Sequence, residues 1–416
     1  MKLNDGKRLR LLEHVVINVM PSDCSGQESM IFNTTRRTLS VKGQALRDVE
    51  SIVLPLLDGS RTIGEIRDAI GEKLTDSSLN QCLEFLIDNR LVEESLEDAN
   101  DDLDSRAYLL PQISLYHELG FNQKDAQKYL ANARIAVFGL GGSGLIAAIN
   151  LATAGIGFVR LCDDACILPS DSLMMSGSVL NKIGTFRGVE AGRQIESIGG
   201  ITRTEIFTDP LNDDTTINPL LEDVDLVIVA TDAVSVNLAY RLNRLCLKMQ
   251  RPLLPGGAAG IEGTVGPLVY SQDKPCYLCY RMRSMACSKL PEAELAVEQL
   301  LNRERRSQPR LRENLPIGQM LVGSYLALDA VKMMVGLPIA TDGKLLHIDL
   351  LGTKLTHNVV LKKPGCPHCS AKKGNREHHG LRHAEAISAL SASQGTGNGI
   401  IDSLEDRREQ SEYSNR

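Results

Sequence analysis

Two pairs of cysteines stand nearest to a definite chemistry. Cys276-Tyr-Leu-Cys279 and Cys366-Pro-His-Cys369 are both C-x-x-C knuckles. Four thiolates at this spacing suit a tetrahedral Zn²⁺ ion with no open position, which makes the role structural. Such an ion would staple two distant parts of the chain together; the bland alternative is four unconnected thiols. His368, inside the second knuckle, is either a nitrogen held beside the metal or an exposed histidine. A second pattern is Gly139-Leu-Gly141-Gly142-Ser-Gly144, with an acid, Asp163, about 20 residues on. Glycines so placed permit a tight turn, close approach of phosphate to backbone, and close packing of helix on strand. Phosphate would rest at the positive end of the helix that follows. The same glycines also suit a plain packing turn that holds no ligand.

These residues need elements to position them. Residues 133–138 (ARIAVF) read as a buried strand running into the glycines, and 145–154 as the helix after them. Residues 158–162 form the next strand and end at Asp163. Strands follow at 225–230 (DLVIVA) and 252–254, then a helix over 318–337 and strands over 344–351 and 355–361. The alternation predicts an α/β domain over 122–370, a Rossmann-like parallel sheet covered on both faces and opened by a helix at 122–130. The polar stretch 285–316, containing RERRSQPRLREN, reads as a mobile crossover loop, and the tail 371–416 as disordered.

Residues 1–94 read as a smaller α+β module. Strands are expected at 14–20, 29–32 and 38–41, and a helix at 44–57 from the spacing of Leu46, Val49, Ile52, Val53 and Leu56. LDGSRT (57–62) reads as a turn. Thr62 with Glu65 forms a capping box opening a helix over 63–74. A third helix starts at Asp76 or Ser77, with Leu79, Cys82, Leu83 and Leu86 on one face. Three strands and three helices in this order suggest a winged-helix domain. The connector 95–121 continues an acidic run from Glu93 to Asp104, which is either a solvated linker or a partner-steering segment.

Composition narrows the function. A net charge of -6 and the absence of Trp argue against a nucleic-acid binder. No apolar run is long enough for a membrane span, and the first residues lack the apolar core of a signal peptide. A cytoplasmic protein is expected, with its ten cysteines as thiols or metal ligands rather than disulfides.

In motif order and spacing the chain resembles the ThiF/ubiquitin-activating (E1-like) superfamily over about 105–372. The resemblance is carried by GLGGSGLIAAINLATAGIGFVRLCD, IGTFRG, DLVIVATD, PLLPGGAAGIEGTVGPL, KPCYLC and CPHC. LLDGSRTIGEIRDAIGEKL resembles the peptide-recognition element of members that modify ribosomal peptides. These include the microcin C and pantocin enzymes and the ThiF-like partners of YcaO cyclodehydratases. The resemblance implies adenylation of a carboxylate by ATP–Mg²⁺. It places Gly139, Gly141 and Gly144 on phosphate, Asp163 on ribose and Asp232 on Mg²⁺. It also implies a homodimer.

The cations depart from the pattern. Arg187 stands where the resemblance expects a phosphate-binding lysine, Asp171 where it expects Asn, and Met174 and Pro111 where it expects Arg. Losing a transition-state arginine slows phosphoryl transfer by roughly 10³–10⁵. Unless Arg160, Arg193 or another cation compensates, catalysis through Asp232 and Arg187 is poorly equipped. The favoured expectation is therefore a protein that binds a precursor's leader peptide and presents it to a separate modifying enzyme of the YcaO type. The leader would lie along 38–41 and the helix bearing Leu79, Leu83 and Leu86, a stripe that also reads as a core face, since one helix can serve both. The rivals are an adenylating enzyme acting on a peptide or ubiquitin-like carboxylate and, on fold alone, a nicotinamide oxidoreductase. Cys287 is either an acceptor thiol or an ordinary one.

Overall fold

Arg8–Leu11 (RLRL) alternates charge with leucine, and in the computed structural model it is a strand, β1, with Leu9 fully buried. The structure describes residues 4–20, 28–43, 46–95, 107–120, 123–171, 182–232, 234, 236–304 and 315–370. The chain forms two compact units, Met1–Asp125 and Ala126–Arg416.

In the first unit, β2 (Val16–Met20), β3 (Glu28–Asn33) and β4 (Thr38–Gly43) make an antiparallel sheet in that order. β1 lies in a second sheet, between β5 (Asp58–Thr62) and β6 (Val92–Ser95) and antiparallel to both. β5 replaces the turn expected over 57–62, because Thr62 finds a cross-strand partner in Arg8. β6 takes up the first acids of the expected linker. Glu93 accepts from Arg10 Nη2 at 2.6 Å and Glu94 from Lys7 Nζ at 2.9 Å, so cross-strand charge pairs hold them in a sheet. Residues 96–106 lie outside the described residues.

The helix expected over 44–57 is irregular, widening at Val49–Val53 and tightening at Leu54–Leu56. Pro55, which has no N–H to donate, sits in the tight part. The Thr62–Glu65 capping box opens the Ile63–Ile70 helix, and Thr75 caps the Asp76–Asp88 helix. Leu79, Leu83 and Leu86 are each at most 1% exposed and share the core with Leu9, Ile63 and Ile66. Of the two readings of this stripe, the core face is therefore the one observed, and its leucines do not reach a peptide: their contacts are already used inside the unit.

The second unit is built on one eight-stranded sheet. β7 (Arg134–Phe138), β8 (Phe158–Cys162), β9 (Arg203–Phe207), β10 (Leu226–Ala230) and β11 (Leu253–Ala259) are parallel, in the order β11-β10-β7-β8-β9. β10 is LVIVA and wholly buried, as a strand covered on both faces must be. β12 (Glu262–Val265), β13 (Lys344–Asp349) and β14 (Lys354–Val359) continue the sheet antiparallel beyond β11. The chain runs from β7 outward through β8 and β9, then returns to β10 on the other side of β7. The crevice beyond the ends of β7 and β10 is therefore a topological switch point, where such sheets hold ligands.

The Ser143–Thr153 helix leaves β7, and the long Pro316–Val335 helix packs against it. The stretch expected as a mobile loop contains a helix, Pro291–Glu304. Proline in its first turn, with Glu292 and Glu294, suits a helix N-terminus, and apolar residues recur along it. Residues 305–314 and the tail 371–416 lie outside the described residues. Among the described residues, no helix is long and apolar enough to cross a membrane.

Leu83→Ala should destabilise the first unit by about 2–5 kcal/mol in urea unfolding, as truncation of a sealed core leucine does. A loss below about 1 kcal/mol would return that stripe to the surface.

Candidate functional site

Register brings the scattered motifs to one end of the large sheet. Phe138 pairs with Cys162 across β7–β8 and with Val229 across β7–β10. Gly139, Asp163 and Thr231-Asp232 therefore leave adjacent strands side by side. Gly139 has φ +87°, a left-handed conformation glycine adopts without strain. A side chain at Gly144 would place its Cβ 1.8 Å from the Gly139 carbonyl oxygen, so the helix meets the strand end only because position 144 is glycine. Gly141 is partly exposed in the same turn.

Asp163 is buried and faces back into the turn. Its Oδ2 accepts from Leu140 N at 2.6 Å and its Oδ1 from Ala165 N at 2.9 Å. Asp232 Oδ2 accepts from Ser143 N at 3.1 Å and Gln319 Nε2 at 3.0 Å, placing a carboxylate at the helix N-terminus. Burial pushes the Asp232 carboxyl up, against the hydrogen bonds from Ser143 and Gln319. Asp232 Oδ1 and Ser143 Oγ are buried and meet no hydrogen-bond partner among the described residues.

Arg187, at the start of the Arg187–Ser197 helix, is buried and engaged by acids. Its Nε and Nη2 donate to Asp171 Oδ2 and Oδ1 at 2.8 and 2.9 Å, and Nη1 lies 3.8 Å from Asp163 Oδ2. Leu168 N also donates to Asp171, at 3.0 Å. Burial works against the Arg187 charge, but Asp163, Asp171 and Asp232 outweigh it and hold the guanidinium above its ordinary range. Arg160 donates to Glu205 and to the carbonyls of Leu220 and Glu222, and Arg193 shares Glu190 with Lys182. Pro111 is exposed near the start of the Leu110–Glu118 helix, and Met174 lies outside the described residues. The donor set thus fits a triphosphate poorly: three carboxylates surround one guanidinium, and its fork is already filled.

The four knuckle cysteines do converge. Their sulfurs lie within 4.8 Å of one another, with Cys276–Cys279 at 3.8 Å, Cys276–Cys366 at 3.7 Å and Cys279–Cys369 at 3.4 Å, all buried. This set could hold a metal ion. Burial pushes the Cys276 thiol up to about 12, so a cation is what would draw it to the thiolate. Lys363 N donates to Cys279 Sγ at 3.4 Å. His368 is half-buried and 2.7 Å from Asn243 Nδ2, and Asn243 Oδ1 accepts from Tyr277 N at 3.0 Å. The histidine is therefore a brace for the knuckles, where an exposed residue was one expectation. Cys287 is exposed.

Three contributors escaped sequence reasoning. Gln319 and Asn243 are polar residues buried on apolar helix faces, and that mismatch was the available signal. The Asp171–Arg187 pair spans a stretch with no periodicity to reveal it.

Comparison with known proteins adds to this geometry. A family model described as the ThiF family matches residues 114–369. The molybdopterin-synthase adenylyltransferase of Escherichia coli is 28% identical over 250 residues, 59% of this chain and 90% of that protein. The sulfur carrier protein adenylyltransferase of Thermus thermophilus is 24% identical over 277 residues, 65% and 92% of the two chains. Among solved structures, Escherichia coli MccB with ATP superposes with a TM-score of 0.60 at 18% identity, covering 87% of this chain and 99% of that one. The microcin C7 biosynthetic enzyme MccB with N-formylated MccA gives 0.62 at 17%, with the same coverage. PaaA gives 0.59 at 15%, covering 83% and 99%. These structures share the fold.

Asp171→Ala should cost roughly 1–3 kcal/mol in urea unfolding, because it leaves two donors of a buried guanidinium without acceptors while Asp163 still offsets the charge; a loss below about 0.5 kcal/mol would mean that the pair is wet and replaceable. The purified chain should contain one thiolate-bound metal equivalent. Asn243→Ala should weaken its retention against a chelator roughly 10–100-fold, as loss of a ligand's supporting contacts does. Unchanged retention would remove Asn243 from the centre.

Proposed function

The chain belongs to the ThiF family, and on that premise we propose that it binds the leader of a ribosomally made precursor peptide and presents it to a separate modifying enzyme. Its own adenylation site, in this reading, is degenerate. The observation that carries the proposal is the buried bidentate Asp171–Arg187 pair. A cation held this way cannot follow the charge that develops on a phosphoryl group, and stabilisation of that charge is most of what such a site supplies. Gln319 reinforces the point: a Cβ on Gly142 would lie 2.2 Å from its amide, which covers the turn and donates to Asp232.

The leader site is the edge of β4 in a winged-helix domain spanning 1–94. β4 pairs with β3 alone among the described strands, so a peptide can add there as a further strand. Thr34 N donates to Arg37 O across the turn, and strand alternation then directs the N–H and C=O of Thr38 and Ser40 to the open edge. Leu39, Val41, Cys82 and Phe85 are partly exposed beside it and take the place of the sealed leucines as side-chain contacts. MccB is a structural neighbour solved with the peptide MccA, which supports a peptide partner. The enzyme served is of the YcaO cyclodehydratase type. The four thiols hold structural Zn²⁺, and the setting is cytoplasmic, where the nine described cysteines remain unpaired. A homodimer through the second unit completes the reading.

One observation favours a second reading. Asp232 Oδ1 and Ser143 Oγ are buried without partners at a helix N-terminus, where Mg²⁺ and phosphate would find ligands. The adenylyltransferases among the relatives point the same way. That reading is an adenylating enzyme acting on a peptide or ubiquitin-like carboxylate.

Titration of ATP–Mg²⁺ into the metal-loaded chain separates the two. No saturable heat is expected at millimolar ATP. Saturable heat that Asp232→Ala abolishes would overturn the proposal and establish the second reading.

A further inference from the structure

The first unit carries a concentration of positive charge that its own structure does not consume. Arg36 and Arg37 end the turn before β4, and Arg90 follows the Asp76–Asp88 helix with φ +53°. Arg37 Nη2 donates to Asn89 O, while Arg36 Nη1 and Arg90 Nη1 both donate to Glu118 O at 3.3 Å. The Arg90 guanidinium lies over Gly120, within 2.6 Å of where a Cβ would stand. All three thus gather where two helices end, at Asp88 and Glu118.

Helix C-termini attract cations, and one arginine at each would satisfy them. Three is a surplus. None of the three forms an ion pair among the described residues. The carboxylate of Glu118 is buried and turned to His14 Nε2, 2.6 Å away. Burial lowers the Arg37 pKa and so do Arg90 and Arg36, and the one carboxylate that opposes them, Glu118, is shared with His14. All three are exposed, so a carboxylate from outside the chain can reach their guanidinium forks.

The position of the cluster identifies that anion. Arg37 directly precedes Thr38, the first residue of the open β4 edge, and its bond to Asn89 ties the end of the Asp76–Asp88 helix to the same corner. A peptide added along β4 therefore runs into the three guanidiniums at one end. We infer that Arg36, Arg37 and Arg90 form an acidic-residue pocket at the end of the leader groove, so that the partner peptide is one with Asp or Glu flanking its apolar, strand-forming segment. The inference rests on the leader-binding reading and adds the rule by which a leader is chosen. Guanidinium forks meet carboxylates through paired charge-assisted hydrogen bonds, which gives this end of the groove direction as well as affinity.

A phage-displayed library of random 16-residue peptides, panned on the full metal-loaded chain, tests it. Binders should divide into those lost on Ser40→Pro, which blocks the β4 edge while leaving its pairing with β3, and those unaffected. The Ser40→Pro-sensitive peptides should carry Asp or Glu clustered at one end. Replacing those acids with Asn or Gln should weaken binding roughly 10–100-fold. Raising salt from 50 to 500 mM should weaken the acidic peptide more than its neutral analogue, a comparison on unaltered protein that no folding defect can mimic. Panning on the Arg36→Glu/Arg37→Glu/Arg90→Glu variant should select basic ends instead. Ser40→Pro-sensitive peptides without acidic enrichment or differential salt response would overturn the inference and leave the groove standing. If no selected peptide is sensitive to Ser40→Pro, the leader-binding reading falls with it.

Discussion

The second unit depends on how closely two helices approach the end of β7. At Gly144 a Cβ would collide with the Gly139 carbonyl and press on Ala230 of β10. At Gly323 it would lie 2.5 Å from Ser143 O and 2.7 Å from Ile146. The first glycine seats the Ser143–Thr153 helix on the glycine turn. The second seats the Pro316–Val335 helix on the Ser143–Thr153 helix. Gln319 lies one turn before Gly323 and so on the same face, and this brings its amide over Gly142 and onto Asp232. Two missing side chains, far apart in sequence, thus determine what stands above the switch point of the sheet.

Electrostatics at that point follow from the same closeness. Asp163 tethers the backbone of the turn through Leu140, Asp232 meets the helix N-terminus at Ser143, and Asp171 takes the fork of Arg187. A buried acid is tolerable only when hydrogen bonds or a cation compensate it. Here the helix dipole, the backbone and one arginine together stabilise three acids. Removing the guanidinium to serve a ligand would leave Asp171 and Asp163 facing each other. The charges of the crevice are thus turned toward one another and toward the backbone of the turn.

Much of this was legible in the sequence, and the failures have physical causes. β8 was readable to the residue, and β7 and β10 nearly so, because strands covered on both faces are predominantly apolar runs, and glycine or acid marks their ends. The convergence of the four cysteines was readable because knuckle spacing is local, although the two pairs are far apart in the chain. β5 and β6 were not, since DGSRT and VEES look like turn and linker until β1 supplies cross-strand partners. The Pro291–Glu304 helix was hidden by the polarity of the stretch around it. The leucine stripe of the Asp76–Asp88 helix shows a different limit. Helical spacing says which residues share a face, but only packing says whether that face meets its own core or a partner.

The thiol cluster brackets the antiparallel end of the sheet. β13, β14 and the Pro316–Val335 helix all lie between Cys279 and Cys366, so one ion joining the knuckles closes that whole segment into a loop. Cross-links over long segments remove the most conformational freedom from the unfolded chain, whereas the cost of closing such a loop grows slowly with its length. The braces are placed to match: Asn243, from the Val236–Met249 helix, holds the first knuckle through Tyr277 N and the second through His368, and Lys363 N donates to Cys279. These contacts connect the thiol cluster to the parallel core. Gln319 lies inside the segment that these cysteines bracket, so an ion held by them would also constrain the contact that covers Gly142 and engages Asp232.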